Sequence, residues 1–132
     1  MKNGKIANIN VSRKRLYYRW LEMTKPFHKL TSQQHNILSL LLYYFFEYKK
    51  DITNDKICWK MVFDYDTKQL IKQELNIKDP NLQNVLTSLR KKGVVIDNEI
   101  VSTYIPNLEV DSNNFKIIFN FNIVDEEKKS KA

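Results

Sequence analysis

Asn81, Gln83, Asn84, Thr87 and Ser88 lie within eight consecutive residues and are followed at once by Arg90, Lys91 and Lys92. A carboxamide donates and accepts side by side, which matches the major-groove edge of adenine. A hydroxyl can meet a base edge or a phosphate, and a cation suits a phosphate. Lys68 and Lys72 lie just upstream, so residues 67 to 92 carry six basic and two acidic groups. Such a set could read bases and grip the backbone of a duplex. The same side chains would equally make the solvated face of a helix whose domain contacts protein.

A second constellation is Arg13-Lys14-Arg15-Leu16-Tyr17-Tyr18-Arg19-Trp20, cations interleaved with aromatics. It fits an arm tracking a phosphate backbone through Arg13, Lys14, Arg15 and Arg19. It also fits an arm docking on a neighbouring subunit with aromatic anchors, or a helix packed on its own domain with a solvated basic side.

Catalytic chemistry finds little support. Asp64 and Asp66 resemble paired carboxylates, but Asp66 sits where a helix N-cap is needed, and no further acid or histidine stands at ligand spacing. His28, His35 and Cys58 are too few for a zinc site. There is no glycine-rich phosphate loop and no nucleophile elbow. The expectation is a non-enzyme without catalytic residues, metal, cofactor or small-molecule substrate.

The elements that must position the polar set follow from periodicity. In residues 81 to 92, Leu82, Val85, Leu86 and Leu89 recur at i, i+3, i+4, i+7, one stripe of a helix, which leaves the hydrogen-bonding residues on the other side. Asp79 is the expected N-cap and Pro80 the first helical residue. Arg90, Lys91 and Lys92 suit the last turn, and Gly93 the left-handed stop. Upstream, residues 67 to 78 predict a helix capped by Asp66 with Gln69 three residues on, burying Leu70, Ile71 and Leu75 while Ile77 plugs the turn. Downstream, apolar runs at 94 to 96 and 100 to 105 flank Asp97, Asn98 and Glu99 as a hairpin would, with Pro106 ending the second strand.

Helix, turn, helix and hairpin in this order resemble the winged helix-turn-helix superfamily, in particular small versions encoded by bacteriophages and plasmids. The resemblance covers residues 31 to 123. It implies that residues 81 to 92 form the recognition helix and 94 to 105 the wing. The wing tip departs from the family habit: phosphate-gripping wings carry Lys or Arg there, and this one carries Asp97 and Glu99, which repel a phosphate backbone.

Composition sets the class. At 132 residues with two glycines and three prolines, the chain fits one compact domain without linkers or repeats. A single cysteine excludes an intrachain disulfide framework, and the apolar run at 37 to 46 is about half of the roughly 20 residues that span a bilayer. The polar, basic N-terminus shows no signal peptide, so the expected location is cytoplasmic, that of the host cell for a phage protein, or else the virion. The net charge of +7 is uneven: residues 1 to 30 hold eight basic groups against Glu22 alone, and the rest of the chain balances.

Along the remainder, residues 1 to 10 read as flexible and 11 to 25 as a basic helix with Leu16, Trp20 and Met23 as its apolar strip beside Tyr17 and Leu21. Thr31 to Gln34 is a Thr-x-x-Gln capping box opening a helix to about Lys49. That helix is apolar most of the way round, hence central to the domain or half of an interface. Residues 52 to 63 predict a short helix with Ile57, Met61 and Val62 inward and Trp59 either core or surface. Residues 115 to 123 alternate as a half-buried strand that completes a three-stranded sheet with the wing. Residues 125 to 132 should fray.

The expected fold is α+β, mainly α, a winged helix-turn-helix with a small antiparallel sheet and a basic N-terminal arm or helix. Its divisions are a basic arm at 1 to 30, the domain at 31 to 124 and a charged tail at 125 to 132. The leading expectation is a protein, encoded by a phage or mobile element, that binds double-stranded DNA in a regulatory or replication role. The alternative is a virion, connector or other assembly component, with homo-oligomer or phage structural contacts through residues 11 to 25 and 37 to 48. Neither reading involves a membrane.

Overall fold

The computed structural model describes residues 4 to 125, so the expectations for residues 1 to 3 and for most of the tail, 126 to 132, lie outside it. Residues 4 to 10 are exposed and lack regular structure. Among the described residues the chain is mainly helical, with one two-stranded antiparallel sheet.

The first helix, α1, is Arg13–Met23, and its cap is Ser12, whose hydroxyl accepts from the Arg15 N–H. Its inward side differs from the expected strip. Tyr17 and Leu21 are buried, whereas Leu16 is half-buried and Met23 exposed. One residue of shift turns a helix face by about 100°, and the shift is fixed by stacking of Tyr17 on Phe46 with centroids 5.3 Å apart. Trp20 keeps a polar handle, its indole N–H donating to the Tyr104 carbonyl at 2.9 Å.

A 3₁₀ turn, Lys25–Phe27, leads to α2, Ser32–Lys49, the axis of the molecule. Its capping box forms as the sequence requires: the Gln34 N–H donates to Thr31 Oγ1, and the Thr31 N–H donates to Gln34 Oε1. Ile37, Leu38, Leu40, Leu41, Leu42, Phe45 and Phe46 are all buried within this chain. These seven side chains make the helix central to the fold, while Tyr43, Tyr44 and Tyr48 on its other side are only half-buried. Tyr17 and Leu21 of α1 belong to that same core.

Burial also acts on the Tyr17 hydroxyl, pushing it up to about 12 although Arg13 nearby pulls the other way. A phenol whose folded pKa exceeds its unfolded value of 10.0 contributes fully below pH 10, and the contribution is lost as pH rises through 12. Over that interval Tyr17 should account for a loss of about 1.4 kcal/mol per pH unit. Tyr17→Phe should be correspondingly less sensitive, as read by urea unfolding below pH 10 and near pH 12.

The next helix, α3, is Asp55–Val62, capped by the Asn54 carboxamide. Its buried residues are Cys58, Trp59 and Val62, while Met61 is half-buried and Ile57, expected inward, is exposed. Trp59 decides the rotation by stacking on Phe45 at 3.9 Å.

Helix α4 is Tyr65–Leu75, starting two residues earlier than expected. Asp64, not Asp66, is the cap, accepting from the Tyr65 N–H at 2.8 Å. That frame buries Thr67, which accepts from the Tyr48 hydroxyl at 2.5 Å and donates to the Met61 carbonyl at 2.8 Å. Ile71 is buried, Leu75 half-buried and Leu70 exposed, contrary to the expectation for Leu70. Asn76, left-handed at φ 52°, closes the helix.

Helix α5 is Asp79–Lys91. Its N-cap position is Lys78, so Asp79 is the first helical residue rather than the cap, and its carboxylate accepts from Lys72 Nζ at 3.1 Å. A carboxylate in the first turn still favours the helix dipole. Leu82, Val85, Leu86 and Leu89 are all buried, as their spacing requires, and Gly93 adopts φ +77°.

The hairpin is shorter than expected. Strands β1, Val95–Ile96, and β2, Glu99–Ile100, pair with Val95 opposite Ile100 and Ile96 opposite Glu99. Asp97 and Asn98 make a two-residue turn with φ 52° and 54°, the left-handed pair that such a connection needs. After β2 the chain enters a 3₁₀ turn, Ser102–Tyr104, well before Pro106. Residues 115 to 123 form no strand, so the third strand of the expected sheet is absent among the described residues. No described helix is long and apolar enough to cross a membrane.

Candidate nucleic-acid interface

Burying the leucine stripe of α5 against α2 and β1 turns its polar side outward. Asn84 and Thr87 are exposed, and so are Arg90 and Lys91. Asn84, Thr87 and Lys91 stand at i, i+3, i+7, while Gln83, Thr87 and Arg90 stand at i, i+4, i+7, so two adjoining rows run along one side of the helix. Asn81 and Gln83 are half-buried. Among the described residues neither Arg90 nor Lys91 forms an ion pair. The arrangement offers carboxamides and a hydroxyl along the middle of the helix and cations at its C-terminal end.

Ser88 does not belong to that open side. Its hydroxyl donates to the Val85 carbonyl at 2.6 Å and accepts from the Gln34 carboxamide at 2.9 Å. Lys92 is also tied in, donating to Gln34 Oε1 at 2.7 Å and to the Lys29 carbonyl at 2.5 Å. Gln34 thus joins the start of α2 to the end of α5. Sequence reasoning missed this junction because the capping box already gave Gln34 a role, and nothing local shows that its second donor faces Ser88.

The remaining basic candidates are drawn into intramolecular contacts to different degrees. Lys72 pairs with Asp79, and Lys68 is half-buried on α4. On α1, Lys14 pairs with Glu74 of α4, and Arg19 with Glu22 at 2.6 Å. The hydrogen bond that Lys14 donates to the Glu74 carboxylate holds its ammonium above the usual pKa. Arg13 donates to the Ser112 carbonyl at 2.7 Å, and Arg15 lies over the Tyr18 ring at 4.5 Å. The sequence groups these four cations, but the fold does not present them as one free patch. They sit on a helix packed into the core rather than on a loose arm.

The hairpin tip is acidic in fact as in sequence, with Asp97 exposed and Glu99 half-exposed. His28, His35 and Cys58 are accounted for structurally. His28 Nε2 lies 2.8 Å from the Leu21 carbonyl and His35 Nε2 2.9 Å from the Tyr18 carbonyl; both partners are acceptors, so each nitrogen donates there. Cys58 is buried and its thiol pushed up by that burial, which disfavours the reactive thiolate. No group of His, Cys, Asp and Glu among the described residues could hold a metal ion. Comparison with known proteins adds no relative: no family model, curated protein or solved structure matches this chain.

Proposed function

We propose that this chain is a non-enzymatic winged-helix protein that binds double-stranded DNA in a regulatory or replication role, with α5 as the helix that enters the major groove. The observation that carries this reading is the open polar side of α5. Asn84, Thr87, Arg90 and Lys91 are exposed, opposite a fully buried leucine stripe. Asn84 and Gln83 would read base edges, with Asn81 and Thr87 beside them, while Arg90 and Lys91 hold phosphates at the helix end. Ser88 and Lys92 would orient the helix rather than touch the duplex. The acidic hairpin tip would point away from the backbone, since two carboxylates gain nothing beside phosphates.

The two classes of contact predict different losses. Asn84→Ala should lower discrimination between cognate and mismatched duplex by roughly 1 to 3 kcal/mol while leaving the salt dependence unchanged. Arg90→Ala should weaken every duplex alike and reduce the log–log salt slope by about 1. Fluorescence anisotropy with cognate and scrambled duplexes over a salt series reads both. Equal effects of the two substitutions on every sequence would reject the groove assignment.

A second reading, an assembly component using the same scaffold for protein contacts, is favoured by Asp97 and Glu99 at the tip and by the pairing of Lys14 and Arg19 within the chain. Under it, the protein fails to shift duplex at low salt, and its assemblies persist at salt that screens phosphate contacts.

A further inference from the structure

Residues 115 to 124 alternate in character, with Phe115, Ile117, Phe119, Phe121 and Ile123 at every second position. They form no regular element and make no backbone hydrogen bond with another described residue. The first half of the segment is anchored: Phe115 meets Trp20 edge-on at 5.8 Å, and Phe119 stacks on Phe27 at 6.2 Å. The second half runs on uncovered, with Phe121 87% and Ile123 96% exposed. Along the segment lies an open cleft of about 1100 Å³ whose lining includes Trp20, Phe27, Leu108, Phe115, Phe119 and, from the exposed half, Phe121.

We propose that a second copy of this chain completes the segment: two copies lay residues 115 to 123 side by side, antiparallel, with Phe119 opposite Phe119. The pattern is its own complement in that register. Ile117 then faces Phe121 and Phe115 faces Ile123, so every one of the five apolar positions meets an apolar one. On the other side Lys116 meets Asn122 and Ile118 meets Asn120, with no like charges opposed. Slipping by one residue would put Phe119 opposite Asn120 and break the stripe.

The register also matches anchored ends to free ones. Ile123 of one copy arrives beside Phe115 of the other, which is held at Trp20, and Phe121 arrives beside Ile117 at the cleft. Backbone groups that lack partners among the described residues gain a ladder, and side chains standing in water gain cover. A foreign strand would gain the same ladder, but nothing in this chain specifies its side chains. The segment itself specifies those of a second copy. This surface is separate from α5 and does not depend on what α5 binds.

Light scattering on the full chain is expected to give twice the mass of one chain. Phe121→Asp combined with Ile123→Asp should return it to the mass of one chain with helical circular dichroism unchanged, because both side chains are exposed in the single chain. Register is read by oxidation of variants with one added cysteine, the native Cys58 being buried. Phe119→Cys should form a disulfide-linked pair, whereas Phe115→Cys should not, since its twin lies eight residues along the ladder, roughly 27 Å away at about 3.4 Å per residue. A chain that stays single at its highest attainable concentration would overturn the proposal. So would a pair that survives both aspartates, or one in which Phe115→Cys cross-links as readily as Phe119→Cys.

Discussion

Leu42→Ala should lower the free energy of unfolding by about 2 to 5 kcal/mol, toward the upper end of that range. Leu42 is fully buried on α2, the helix against which α1, α3, α4 and α5 all pack. A void inside a core packed to this density is not closed without disturbing the contacts around it. Removing the side chain costs its transfer energy and then the unrelaxed cavity. Small domains have about 5 to 15 kcal/mol in total, so this one substitution removes a large part of the margin. Urea titration should show a lower midpoint with an unchanged slope. The matched control is Ile57→Ala: Ile57 is exposed on α3 and should change stability by about 0.5 kcal/mol or less. Comparable losses at the two positions would mean that α3 is rotated from the orientation Trp59 gives it.

Replacing both Arg90 and Lys91 by glutamine should reduce duplex affinity about 100-fold, taking roughly 1.4 kcal/mol for each charge-assisted phosphate contact. The log–log salt slope should fall by about 1.8, from 0.9 per neutralised phosphate. Glutamine removes the charge but keeps a polar, helix-compatible side chain, so the change tests charge foremost. Both positions are exposed at the end of α5, and neither contributes to the core, so the fold should be nearly unaffected apart from the loss of cations from the last turn. An unaltered salt slope would show that these cations do not meet phosphate, and the assembly reading would then take precedence.

What was legible in the sequence was what local chemistry determines. The Thr31 to Gln34 box set the start of α2, and the spacing of Leu82, Val85, Leu86 and Leu89 identified the inner side of α5. Gly93 was readable as a left-handed stop because little else tolerates that backbone. The misreadings share a cause, two locally equivalent choices decided by distant partners. Asp64 and Asp66 can each cap a helix, and Asp64 prevails because that frame delivers Thr67 to Tyr48. The helical period on α1 permits either Leu16 with Met23 or Tyr17 with Leu21, and stacking against Phe46 selects the second. Ile57 and Cys58 compete in the same way, and Trp59 settles it. Residues 115 to 123 alternate as a strand does, but a strand exists only where a neighbour lies alongside, and alternation alone does not name one.

For the candidate site, the polar side of α5 could be read directly from its complement, the buried stripe. The withdrawal of Ser88 and Lys92 from that side could not, because it depends on an amide more than fifty residues away.

That amide has a further consequence. Gln34 closes the first turn of α2 with one oxygen, while the same oxygen receives Lys92 and its nitrogen holds Ser88. The far end of α5 is thereby pinned as a beam is pinned at a wall, and a ligand pulling on Arg90 or Lys91 would load the central helix instead of bending the outer one. A ligand that met this side of α5 would find the pitch of the helix set from inside the domain, at Gln34.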